Sequence, residues 1–530
     1  MCFVLNNYNL DTYMNFTSFE FLFLFFPVTI VINYLLPPVV RNYWILAASL
    51  FFYSWGAPEY LLLFILSIVI NFSFGLLIEK VNEAAEKNNY LPGEQFFENT
   101  RTSKLPFLKG VIAWLKNKFI GLCKNYFLIR KIIVVIAIFC NVIPLFLTKY
   151  LNVITELAVK CFPEWQFASQ QANIIAPLAI SFITFQTIAY LTDIYRGENA
   201  EKNICNFALF ITFFPQLIQG PILRYRDFRT QLTNRITSSD QFVKGILRFL
   251  TGFNKKMLVA DVLSELTATT FQAESLSVGM AWIGIIAYVL QIYFDFSGYS
   301  DMAVGLGRMF GFEFVENFDY PYCSETVSEF WRRWHITLGT WFRDYVYFPL
   351  GGSRVKKLRV IFNLMVVWLL TGVWHGPTIN FILWGLWNGI LIVIEKLADI
   401  PKRLHEKPVL QRLYRILTVI FIIFGFVFFR LPDLAQITNY FRNLFGLNGN
   451  LFIDNAVIFN SREYIVPLIV GIIGLFPIIR KLEKIISCRC GKISASMIRL
   501  VWFLILLVLA IFSVSSMAMS SNNPFMYMVF

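Results

Sequence analysis

Two histidines are the residues of this chain best suited to proton-transfer chemistry. His335 lies in FWRRWHITLGTWFRDYVYFPLGGSR, Phe330 to Arg354, among three tryptophans and four arginines. His375 follows 40 positions on, in TGVWHGPTINFILWG. A neutral imidazole takes a proton from a hydroxyl near neutral pH, which suits general-base work. Arginine forks match phosphate geometry, so Arg332, Arg333, Arg343 and Arg354 are candidates to hold an anionic donor. The plainer reading makes His335 a backbone-bonded core residue and the arginines snorkelling anchors. Both histidines stand in apolar sequence, where ionisable groups are costly and mark function.

The surrounding composition says what must position them. The chain has 530 residues, 57% hydrophobic and only 15% charged, with a mean hydropathy of +0.60. A soluble domain carries roughly 25% charged residues. Even large domains keep a wet, charged surface, so the deficit points to lipid-facing helices rather than an outsized core. Many apolar runs approach the roughly 20 residues that cross a bilayer. The expected fold is all-α and polytopic, with roughly a dozen membrane helices, some re-entrant, around a central funnel or tunnel.

The net charge of +13 is spread over short loops. That pattern orients a membrane protein, basic loops inside, and no nucleic-acid motif accompanies it. The expected spans begin with Phe19 to Leu36, Tyr43 to Trp55 and Tyr60 to Ile78. Residues 79–131 form a basic insertion, placed in the cytoplasm, in which Leu105 to Leu128 has the spacing of a surface-lying amphipathic helix or of a solvated linker. Further spans are expected at Ile132 to Leu147, Ile174 to Ile194, Gly245 to Leu263 and Val278 to Phe296. Phe207 to Pro221 reads as a broken or re-entrant helix. Val360 to Trp374 and Phe381 to Ile394 make a hairpin with His375 near its tip, broken by Gly372, Gly376 and Pro377. Arg415 to Phe429, Tyr464 to Ile479 and Leu500 to Met519 close the series. His405 falls in a basic loop and is given no role. Cys488 and Cys490 are a tight pair with no further ligand nearby, so no metal site is expected.

Thr326 and Glu329 have capping-box spacing and open a helix at about Val327. On one continuous helix, ended by Pro349, His335 shares a face with Trp331, Leu338, Gly339 and Phe342. The segment is too polar to cross lipid, so a buried re-entrant helix from the cytoplasm is expected. Trp374 is expected to pack beside the His375 ring. Asp295, Ser297, Tyr299 and Asp301 form a polar cluster with two readings: groups that orient a histidine or arginine, or a network that holds helices together. Gln216, Gln219, Arg224 and Tyr225 form a weaker one.

These motifs have a family likeness. WRRWHITLGTWFRDYVYFPLGGSR and VWHG resemble the membrane-bound O-acyltransferase family. SFITFQTIAYLTDIYRGE, FITFFPQLIQGPILRY, YVLQIYFDFSGYSDMAVGLGRMFGF and the closing NNPFMYMVF resemble its alginate O-acetyltransferase branch. The resemblance implies a single membrane domain over 1–530, with the catalytic core in 313–394 and His335 and His375 as the catalytic pair. It implies transfer of an acyl group, typically acetyl, from acetyl-CoA or another cytoplasmic thioester toward an extracytoplasmic, alginate-like polysaccharide. No permanently bound cofactor is implied. An extracytoplasmic acyltransferase partner, surrounding membrane lipid and a bacterial inner-membrane location are. D-alanyl transfer to teichoic acid and peptidoglycan O-acetylation are the related alternatives. In another class, a proton-coupled transporter or flippase would use the histidines and Asp295 as a relay; a non-catalytic scaffold would tolerate their loss. Which histidine is the base stays open, as does the oxyanion donor among Arg332, Arg333 and Asn363.

Overall fold

The computed structural model describes residues 14–87, 106–162, 177–235, 237–405, 407–478, 480–481, 492–519 and 525. Cys488, Cys490, part of the 79–131 insertion and most of the closing motif lie outside these. From Pro106 the backbone is one helix to Cys161; the side chains that would decide whether its first turns lie on a membrane surface are outside the described set.

The described residues are helical, with no strand among them and one isolated bridge between Phe318 and Trp334. Seven helices are long and apolar enough to cross a membrane, or eight if the pair Asn455–Glu463 and Ile465–Gly474, bent by 64°, is one span. The all-helical, multi-pass expectation is borne out; the count of a dozen is not. The shortfall has a physical cause. Ile180–Tyr195 is 16 residues long and Ile204–Thr212 only 9, both short of a bilayer crossing. The Gly245 to Leu263 run is split between an amphipathic helix and a charged turn at Lys256.

The chain forms two compact units. One comprises Pro38–Phe213 and Arg224–Thr233. There, Asn71 and Asn141 exchange amide hydrogen bonds of 3.0 and 2.7 Å, and Thr187 donates to Asn141 at 3.1 Å. Such a clasp satisfies buried amides between apolar helices.

The other unit holds both histidines. Its frame is α1 (Ser239–Lys255), α2 (Asp261–Gln272) and α3 (Val278–Met309). Helices α1 and α3 cross antiparallel through two glycine pairs. A Cβ on Gly252 would stand 2.3 Å from the Gly298 oxygen, and one on Gly245 would stand 2.7 Å from that of Gly305. Only bare backbones fit there. Around this contact Asp301 takes Arg248 and Lys255, each at 2.7 Å, and Lys256 bridges Asp295 at 2.7 Å and Asp261 at 2.6 Å. Phe525, the described residue of the closing motif, is buried edge-on against Tyr299, 4.9 Å between centroids.

Candidate active site

Five helices of this unit carry the site: α4 (Val327–Arg333), α5 (Ile336–Phe342), α6 (Lys357–His375), α7 (Ile379–Leu397) and α8 (Pro408–Arg430). Gly376 and Pro377 stop α6 and turn the chain. Helix α7 then runs back along it, with Gly372 against Phe381 and Gly385 against Trp368. Helix α8 runs antiparallel to α7. Asn380 donates to the Phe429 oxygen at 3.3 Å, Trp387 to Phe421 at 2.9 Å, and Tyr414 to Glu395 at 3.3 Å.

Helix α4 begins where α7 ends. Thr326 caps it, accepting from Glu329 N–H at 3.1 Å, as the sequence predicts. The buried Glu395 carboxylate then accepts Val327 N–H at 2.7 Å, Ser328 N–H at 2.8 Å and the Ser328 hydroxyl at 2.6 Å. A carboxylate there meets the orphan donors and the positive helix end together. Part-way along, Trp331 donates to Asn388 at 3.0 Å and packs edge-on against Trp368 and Trp384.

The continuous helix expected through His335 does not form. Helix α4 stops at Arg333, and His335 takes a left-handed backbone with φ 46°. Helix α5 leads away from it, through a wide turn at Arg343–Tyr347, and Gly351–Gly352 bring the chain to the start of α6. There Asn363 donates to the Leu350 and Gly352 oxygens, both at 3.2 Å. The result is a hairpin with the buried His335 at its turn. A non-glycine residue costs roughly 1–2 kcal/mol in that conformation. The Phe318 segment holds it: Ile336 N–H reaches the Asn317 oxygen at 3.0 Å, and Asp319 N–H reaches Arg333 at 3.0 Å. Helical periodicity in 330–343 is therefore overridden by a tertiary contact, yet the residues expected on one face, Trp331, His335, Leu338, Gly339 and Phe342, all line one cavity.

His335 and His375 line one cavity of about 730 Å³. Trp374 touches both rings, 6.3 Å from His335 and 4.6 Å from His375 between centroids. Together these bound the imidazole separation at about 11 Å. His375 is otherwise walled by Trp384, Phe381 and Phe429, and Phe296 stands edge-on to His335 at 4.7 Å. The lining also includes Arg332, Arg343, Glu395, Lys396, Asp399 and Lys402. From Phe381 to Glu395 along α7 is about 20 Å at the helical rise, most of the roughly 30 Å of a hydrocarbon core.

Of the other candidates, Trp331 lines the cavity with Arg332 and Arg343. Arg333 instead bridges Glu329 at 2.7 Å, and Arg354 is not part of the lining. Asp295 and Asp301 are in the ion pairs of the α1–α3 crossing. Lys396, Lys402 and Glu395 escaped sequence reasoning. Glu395 left one signal, a lone carboxylate closing the apolar run ILWGLWNGILIVIE.

An all-helical frame around a hairpin with a buried histidine at its turn defines a class of membrane protein, and comparison supplies its family. Residues 200–437 match the membrane-bound O-acyltransferase family. The chain is 37% identical to the probable alginate O-acetylase AlgI of Pseudomonas aeruginosa over 82% of this chain and 75% of that one. It is 33% identical to the protein of the same name from Pseudomonas putida over 98% and 100%. A peptidoglycan O-acetyltransferase of Helicobacter pylori is 33% identical over 81% and 79%. The chain belongs to the membrane-bound O-acyltransferase family.

Proposed function

We propose that the chain is a bacterial cytoplasmic-membrane O-acetyltransferase that serves polysaccharide acetylation, with an alginate-like polymer as final acceptor. Acetyl-CoA, or a similar thioester, binds from the cytoplasm at the basic residues of the cavity lining. Arg332, Arg343, Lys396 and Lys402 face its phosphates, and Trp331 lines the way inward. One imidazole takes the proton of the acceptor hydroxyl while the other orients or polarises. The hydroxyl oxygen bonds to the acetyl carbon, the carbon–sulfur bond breaks, and the proton goes to the departing thiolate. An extracytoplasmic partner completes transfer to the polymer.

The observation that carries this reading is one cavity whose lining holds both histidines together with Arg332, Arg343, Lys396 and Lys402. A donor path and a base are then continuous. A proton relay has no need of a cavity this large. The test is the acetyl content of the secreted polymer in cells carrying His335→Ala or His375→Ala. The reading expects it to disappear in both; full acetylation in both would remove it.

A further inference from the structure

Asn317 lies outside every motif that marked the site, yet its side chain is within hydrogen-bond distance of His335. It is fully buried, and its Oδ1 is 3.1 Å from His335 Nδ1. Two other donors reach the same oxygen: Thr337 N–H at 3.2 Å and the Thr337 hydroxyl at 2.9 Å. The backbone N–H can only donate, so the atom it meets is the amide oxygen and the amide orientation is fixed. The hydroxyl is fixed as well. Thr337 Oγ1 accepts Ile222 N–H at 3.1 Å, which turns its own hydrogen toward Asn317. An amide oxygen only accepts, so Nδ1 of His335 must carry a hydrogen.

We propose that Asn317 is a positioning residue that holds His335 in the Nδ1–H tautomer, leaving the Nε2 lone pair as the base for the acceptor hydroxyl. This rests on the acyltransferase reading and deepens it by choosing His335 over His375 as base. In the step, Nε2 receives the hydroxyl proton, the oxygen–carbon bond forms as the carbon–sulfur bond breaks, and Nε2 returns the proton to the thiolate. Asn317 exchanges no proton; it keeps the ring from turning over or changing tautomer between cycles. The left-handed backbone at His335 belongs to the same device, since Ile336 N–H is held by the Asn317 backbone oxygen at 3.0 Å.

The chain has three histidines, which makes the tautomer directly readable. Full-length protein with 15N,13C-labelled histidine is reconstituted in lipid, and His335 is assigned by difference against His335→Ala. Solid-state NMR at neutral pH is expected to show Nδ1 protonated and Nε2 bare. Asn317→Asp keeps the acceptor and retains kcat within about tenfold. Asn317→Leu removes it and lowers kcat about a hundredfold or more, with KM for acetyl-CoA little changed, the pattern of a group that acts in the transition state. An Nε2–H tautomer in the native protein overturns the inference, as does equal impairment of Asn317→Asp and Asn317→Leu, or full kcat in Asn317→Leu. If Asn317→Leu does not fold, the native spectrum decides alone. Full activity in His335→Ala overturns the base reading itself, whatever the tautomer.

Discussion

The carboxylate of Glu395 accepts the backbone N–H of Val327 at 2.7 Å, tying the end of the α6–α7 hairpin to the start of the helix that leads to His335. A buried carboxylate that meets three donors on one helix start sets where that helix points. Replacing it with leucine leaves Val327 and Ser328 N–H without their acceptor. The expected cost is about 2–4 kcal/mol, because hydrogen bonds to a charged group are worth roughly 1.5–3 kcal/mol each and part of the loss is relieved by relaxation. Glu395→Gln keeps an acceptor and should cost about half. Thermal unfolding in detergent, with acetyl-CoA turnover measured alongside, checks this. An unchanged melting temperature in Glu395→Leu would contradict it.

The basic lining of the cavity makes a kinetic prediction. If Arg343, Lys396 and Lys402 meet donor phosphates, alanine at each raises KM for acetyl-CoA several-fold and leaves kcat nearly intact, as lost ground-state binding does. Solvent-facing charge is screened by salt, so the native and variant KM values should converge between low and high ionic strength. Steady-state kinetics at two salt concentrations reads both effects. A fall in kcat at constant KM would place these cations elsewhere in the cycle.

Lys256 tests the frame rather than the site. It is buried and holds Asp295 at 2.7 Å and Asp261 at 2.6 Å. Lys256→Met strands two carboxylates in an apolar interior, and breaking a buried pair this way costs about 3–5 kcal/mol. The expected readout is loss of folded protein on size exclusion. Adding Asp295→Asn to Lys256→Met should recover part of it, because one stranded charge is gone. No recovery would mean that the ion pair is not what the lysine contributes.

Much of the site was legible because its signals are local. Gly372, Gly376 and Pro377 announce the tip at His375, Thr326 with Glu329 announces the start of α4, and Gly351–Gly352 announce a turn. What stayed hidden depends on partners far off in sequence. The break at Trp334–His335 comes from the Asn317 segment, and nothing in the 330–343 periodicity reports it. Lys256 lies within an apolar run, and its partners Asp261 and Asp295 are supplied by the fold. Glu395 meets Val327, 68 residues away in sequence, only in the folded chain. The dozen spans are not confirmed among the described residues for a related reason: short apolar helices buried by neighbours have the composition of spans without the length.

The central claim is that the two imidazoles on this shared cavity carry out acetyl transfer. The most direct measurement gives purified full-length protein acetyl-CoA labelled in the acetyl group, with a hydroxyl acceptor, and follows free thiol and labelled ester together. The native protein is predicted to release both in equal amounts, and His335→Ala and His375→Ala to release neither above background while remaining folded. Labelled ester formed at the native rate by both variants would contradict the account.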